Sequence, residues 1–156
     1  MALDVGTKAP DFDLPVAGGY ETGLWQLMGT NDYVILAFYP KAKTSVCTEE
    51  MTMLDEFRPD LQSLGAQIVG ISVDDIETLE DWIGETGFTI PLMSDANPKG
   101  VVAEMYEVMS NKGVSERAYF IIDDEGTIQY SYVSAMTKNP GVDRLITALE
   151  EIQGEK

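Results

Sequence analysis

The chain has 156 residues, 44% of them hydrophobic and 9% aromatic, which is enough to pack one ordinary domain and too apolar for a disordered one. Ten Lys and Arg against 27 Asp and Glu give a net charge of −17, and a surface this acidic repels phosphate backbones and anionic membranes, so no nucleic-acid or membrane partner is expected. The lack of any His excludes Cys–His and Ser–His pairs and histidine metal sites, while a single Cys excludes an internal disulfide, a CxxC pair and a thiolate zinc cluster.

Residues 1–15 show no basic stretch followed by an apolar one, so a cytoplasmic protein is expected. Residues 9–15 read as a short edge strand and 16–23 as a turn. The run YVILAFY at 33–39 is nearly all apolar, as a strand covered on both faces would be, and is far short of the roughly 18 residues of a membrane span. Over 48–64 the apolar residues Met51, Leu54, Phe57, Leu61 and Leu64 recur in steps of three and four, which predicts a helix stopped at Gly65 and kinked or broken near Pro59. Residues 66–73 (AQIVGISV) form a second buried strand. Asp74, with Glu77 three residues on, is expected to cap a helix whose inner face is Ile76, Leu79 and Ile83. A short strand at 90–94 and a short helix at 98–106 follow. Strands at 118–123 and 127–133 are joined by Asp124-Glu125-Gly126, a hairpin signal. Asn139 and Pro140 are expected to open the last helix, lined by Val142, Leu145, Leu149 and Ile152 and ended by Gly154.

Alternating strands and helices with a terminal hairpin imply a single α/β domain over residues 1–156, a mixed central β-sheet flanked by helices on both faces. In such sheets ligands gather at the carboxyl ends of strands. Cys47 follows the first apolar strand and lies in the first turn of a helix, where free N–H groups and the helix dipole stabilise a thiolate. The alternative is an inert, buried small hydrophobe.

The segment FYPKAKTSVCTEE at 38–50 resembles the active-site signature of the peroxiredoxins: a Pro, three residues, a Thr, two residues, then the reactive Cys, here Pro40, Thr44 and Cys47. The stretch SERAYFIID at 115–123 resembles the strand that delivers the family's active-site arginine, here Arg117, and GTKAPDF at 6–12 resembles its N-terminal segment. The resemblance spans essentially the whole chain and is nearest to the bacterioferritin-comigratory and one-cysteine branches. It implies a thioredoxin-like fold, no cofactor, and a thiol peroxidase acting on hydrogen peroxide and organic hydroperoxides.

It also implies roles. Cys47 would be the nucleophile, attacking peroxide as the thiolate. Arg117, always charged, would stabilise that thiolate and hydrogen-bond the peroxide, unless it is merely a surface ion pair. The Thr44 hydroxyl would contact the reacting oxygens, cap the helix, or do both. Pro40 would wall the pocket against water or simply terminate the strand. The N–H groups of Val46 and Cys47 would face the substrate oxygen. Glu50 would orient the arginine or be a solvated first-turn carboxylate. Lys41 and Lys43 read as exposed loop lysines. Thr48 stands where many relatives carry Pro. Without a second Cys, an external thiol such as thioredoxin, glutaredoxin or a small thiol would have to resolve the sulfenic acid, and relatives of this size imply a homodimer. The competing readings are a thiol–disulfide oxidoreductase, disfavoured by the missing CxxC pair, and a silent binding or chaperone-like protein, disfavoured by Pro40, Thr44, Cys47 and Arg117 occurring together.

Overall fold

The computed structural model describes residues 2–154. The chain opens with β1 (Asp13–Val16), β2 (Tyr20–Gly23) and a short helix α1 (Leu24–Met28). Then come β3 (Tyr33–Phe38), α2 (Ser45–Glu56), α3 (Arg58–Ser63) and β4 (Ala66–Ser72). They are followed by α4 (Ile76–Thr86), β5 (Leu92–Ser94) and α5 (Val101–Met105), then β6 (Arg117–Asp123), β7 (Ile128–Ser134) and α6 (Asp143–Gly154). The strands form one seven-stranded sheet in the order β2-β1-β5-β4-β3-β6-β7. β3, β4 and β5 run parallel, joined by helical crossovers, while β6 lies antiparallel beside β3 and β7 antiparallel beside β6. The mixed sheet expected from the order of elements is present.

The apolar run after residue 32 becomes the central strand for a simple reason: both of its faces are covered. Tyr33, Ile35 and Ala37 point into one core, with Leu54 of α2, Leu61 of α3, Trp82 of α4 and Leu145 and Leu149 of α6. Val34, Leu36 and Phe38 point into the other, with Leu24 of α1 and Val102 and Ala103 of α5. Alternation along a pleated strand divides the residues in this way. Each fully buried large apolar side chain contributes roughly 1.5–3 kcal/mol, so the strand is the mechanical centre of the molecule. No helix among the described residues is long and apolar enough to cross a membrane.

Several boundaries differ from the sequence reading. The expected turn over 16–23 shrinks to Ala17, Gly18 and Gly19. Both glycines take positive φ (117° and 94°), which closes a tight reversal and frees residues 20–23 to pair with β1. The expected helix over 48–64 is two helices: α2 ends at Glu56, Phe57 separates it from α3, and Pro59 lies in the first turn of α3, where its missing N–H costs nothing. α4 is capped by Asp75 rather than Asp74, its carboxylate accepting the Thr78 N–H at 2.8 Å. Trp82, fully buried, leads the inner face together with Leu79, while Ile76 and Ile83 are half-buried. α6 starts at Asp143, not at Asn139. The Asn139 side chain accepts the Gly141 N–H at 3.1 Å, a local turn that ends before the helix begins.

Candidate functional site

The site forms where β3 ends. After Phe38 the chain turns through half-buried Pro40, and α2 begins at Ser45, three residues before the expected start. Lys43 takes a left-handed conformation (φ 70°), which turns the loop sharply into the helix. Thr44 is extended and occupies the N-cap position, but its side chain makes no capping bond. Its hydroxyl donates instead to the Lys41 carbonyl at 2.8 Å. The first helical bond runs from the Thr48 N–H to the Thr44 carbonyl at 2.9 Å. The N–H groups of Val46 and Cys47 precede it and have no acceptor within the helix, which leaves donors at the place the sequence assigned to a substrate oxygen.

One bond, to a carboxylate itself held in place, and a pair of weak contacts fasten this loop. The Ala42 N–H donates to Asp74 at 2.8 Å, and Ser72 Oγ donates to the same carboxylate oxygen at 2.7 Å. Lys43 Nζ lies 3.9 Å from both Asp81 and Glu85 of α4. These exposed pairs add little energy, consistent with Lys43 as an ordinary loop lysine.

Cys47 lies in the first turn of α2 and is 1% exposed. Arg117, the first residue of β6, is also 1% exposed, and its Nη2 stands 3.3 Å from Cys47 Sγ. Nη1 donates to Glu50 Oε1 at 2.5 Å. The Met136 carbonyl, in the loop after β7, accepts from Nη2 at 2.6 Å and from Nε at 3.3 Å. Glu50 is fully buried, and its second oxygen accepts the Tyr119 hydroxyl at 2.5 Å. Arg117 is therefore no surface ion pair and Glu50 no solvated carboxylate. The structure brings together Cys47, Glu50 and Arg117, while the Thr44 hydroxyl faces the loop backbone.

The electrostatics follow from burial. Desolvation opposes the charge on Arg117, but Glu50 and Cys47 more than offset it, and its pKa lies above the ordinary value. Desolvation raises the pKa of Glu50, against which the Tyr119 hydrogen bond and Arg117 pull down. Burial, then the Glu50 charge, pushes the Tyr119 phenol far up, so it remains a donor. Three anchoring groups escaped the sequence reading. Tyr119 was legible in principle, being two residues from Arg117 on a strand and hence on the same face. The Met136 carbonyl and the Asp74 anchor carried no signal, because they depend on how distant loops fold back. Among the described residues no cluster of acidic or sulfur ligands could hold a metal ion.

The profile of the AhpC/TSA family matches residues 5–131, a span that contains every side chain of this site. A chloroplastic 2-cysteine peroxiredoxin of Chattonella marina var. antiqua is 35% identical over 164 aligned positions, covering 98% of this chain and 82% of that protein. Alkyl hydroperoxide reductase E of Mycobacterium bovis is 34% identical over 140 positions, covering 89% and 88%. Among solved structures, the reduced 2-Cys peroxiredoxin of Plasmodium vivax superposes with a TM-score of 0.89 at 28% identity, covering 96% of this chain and 82% of that one. The peroxidoxin BcpB of Mycobacterium tuberculosis gives 0.83 at 28% identity, covering 95% and 97%.

Proposed function

The chain belongs to the AhpC/TSA family of peroxiredoxins, and from that premise we propose that it is a one-cysteine enzyme of the bacterioferritin-comigratory type, reducing hydrogen peroxide and organic hydroperoxides at Cys47. Its fold is the thioredoxin-like α/β fold of the solved relatives, and it is a thiol-dependent peroxidase.

In the proposed reaction the Cys47 thiolate attacks one oxygen of the hydroperoxide. A sulfur–oxygen bond forms as the oxygen–oxygen bond breaks, the sulfur is oxidised by two electrons to the sulfenic acid, and the leaving oxygen departs as hydroxide or alkoxide and takes up a proton. Arg117 serves both anions in turn: it pairs with the thiolate beforehand and donates to the oxygen that develops charge. The Val46 and Cys47 N–H groups supply further donors, the Thr44 hydroxyl, whose own proton goes to the Lys41 carbonyl, accepts from the bound peroxide, and Pro40 restricts water beside the sulfur. Glu50 keeps Arg117 in place.

Two external thiols complete the cycle. The first forms a mixed disulfide with Cys47 and releases water, and the second restores the thiol. The observation that carries the one-cysteine mechanism is the sequence itself, in which Cys47 is the single cysteine. The reading includes thioredoxin, glutaredoxin or a small thiol as reductant and a homodimer as the assembly.

The test is the rate at which reduced protein loses its thiol to equimolar hydrogen peroxide. Oxidation orders of magnitude faster than free cysteine, abolished in Cys47→Ser and greatly slowed in Arg117→Ala, is the expected result. A rate no better than free cysteine would overturn the assignment for this peroxide, and the same result with an organic hydroperoxide would overturn it altogether.

A further inference from the structure

Strand β6 presents alternate side chains on one face, so Arg117 and Tyr119 project side by side, roughly 6.7 Å apart along the strand. Helix α2 carries Cys47 and Glu50 one turn apart, on the face that meets this strand. Their contacts form a single series: Cys47 Sγ to Arg117 at 3.3 Å, Arg117 to Glu50 Oε1 at 2.5 Å, and Glu50 Oε2 to the Tyr119 hydroxyl at 2.5 Å. The reaction above uses the first three residues and leaves the fourth without a part. Tyr119 is fully buried, where an apolar side chain would satisfy packing, yet its hydroxyl is aimed at the free oxygen of Glu50.

We propose that Tyr119 is a positioning residue for peroxide reduction, its hydroxyl pinning the Glu50 carboxylate in the orientation that holds Arg117 on Cys47. The proposal rests on the peroxidase reading for its chemistry and on the geometry for the pinning. A carboxylate buried without solvent needs donors at both oxygens. The charged and titratable groups around Glu50 are Arg117 and Tyr119 from β6, Cys47 from α2 and Tyr39 at the end of β3, with Arg144 of α6 beyond Tyr119 beside Tyr130 and Tyr132 of β7. Of these, Arg117 and Tyr119 bond to Glu50. Without the hydroxyl, Oε2 is left bare, the carboxyl gains a proton or rotates, and Arg117 follows its remaining acceptor, the Met136 carbonyl, away from the sulfur.

The experiment is Tyr119→Phe, read two ways: the rate constant for Cys47 oxidation by hydrogen peroxide, and the titration of the Glu50 carboxyl carbon followed by NMR. The rate is expected to fall about tenfold, as for a lost hydrogen bond to a charged group. The Glu50 midpoint is expected to move up by about one pH unit. Adding Tyr119→Phe to Glu50→Gln should cost little more than Glu50→Gln alone, because the pinned carboxylate is already gone. Tyr119→Gln, which keeps a donor, should recover part of the rate, and it serves as the test with Tyr119→Leu beside it if the Phe variant does not fold. A wild-type rate with an unmoved Glu50 titration overturns the proposal, as does an equal loss of rate in the Glu50→Gln background. If the unaltered protein reacts no faster than free cysteine, the peroxidase reading fails, while the Glu50 titration still decides whether Tyr119 pins the carboxylate.

Discussion

Cys47 and Arg117 lie 70 positions apart in the sequence and meet at 3.3 Å, sulfur to guanidinium, in a space almost closed to solvent. Arg117 owes this position to its place at the start of β6, which pairs with β3 opposite the end that leads to the Cys47 loop. A cation so placed has to serve several acceptors at once. Three of its nitrogens reach Cys47, Glu50 and the Met136 carbonyl, which a planar guanidinium can do and an ammonium cannot.

Arg117→Lys is therefore not a conservative change. A lysine supplies the charge but not the fork, and the Glu50 pairing competes with the sulfur for its single nitrogen. Peroxide reduction should fall by about a hundredfold, the usual scale for removing a donor to developing charge. Stopped-flow oxidation of the reduced variant checks it, and a near wild-type rate would show that charge alone suffices.

Glu50 should leave a mark on stability. Burial raises its pKa above the ordinary glutamate value of 4.5. Between that value and its raised position the folded chain holds a proton that the unfolded chain has lost. The corresponding stability is whole below about pH 4.5 and is lost as pH rises through the raised value. Urea unfolding of the reduced protein and of Glu50→Gln, measured side by side from pH 4.5 upward, should show the unaltered protein losing ground by at most ~1.4 kcal/mol per pH unit. Parallel curves would mean that Arg117 and Tyr119 fully compensate the burial.

The adjacent acids Asp74 and Asp75 should separate by readout. Asp75→Ala removes the cap of α4 and should lower the urea midpoint without touching peroxide reactivity. Asp74→Ala removes the acceptor for the Ala42 N–H and for Ser72, so amide exchange at Ala42 should accelerate at least tenfold while α4 stays intact. Equal protection at Ala42 in both variants would show that Asp74 does not hold the loop.

In the proposed one-cysteine cycle, an external thiol has to reach a sulfur that is 1% exposed. The first turn of α2 has to open once Cys47 is oxidised, and the break at Phe57 lies too far along the chain to help. Hydrogen exchange over residues 46–51 is expected to rise on oxidation. Unchanged protection would place the resolving thiol on another route.

The sequence by itself determined the layers and the place of the single cysteine at the end of the central strand. The unbroken apolar run of β3, the period of three and four across α2 and α3, the Gly-bearing turn between β6 and β7, and the spacing of Pro40, Thr44 and Cys47 are all local patterns, and each is enforced by backbone geometry within a few residues. The tertiary structure decided what sequence spacing cannot hold. β2 exists because β1 offers a pairing edge, not because YETG signals an element, and α1 follows it with Leu24 buried in the core and the Gln26 side chain accepting the Gly23 N–H. Which of Asp74 and Asp75 caps α4 depended on the direction in which the chain leaves β4, since either carboxylate is chemically fit for the role. The fate of Glu50 was the deepest case. The same residue is a solvated first-turn acid or the buried partner of Arg117 and Tyr119, according to whether a strand 67 residues later brings two donors to its two oxygens. A buried charge is tolerable only when its partners arrive with it, and that arrival is a property of the fold.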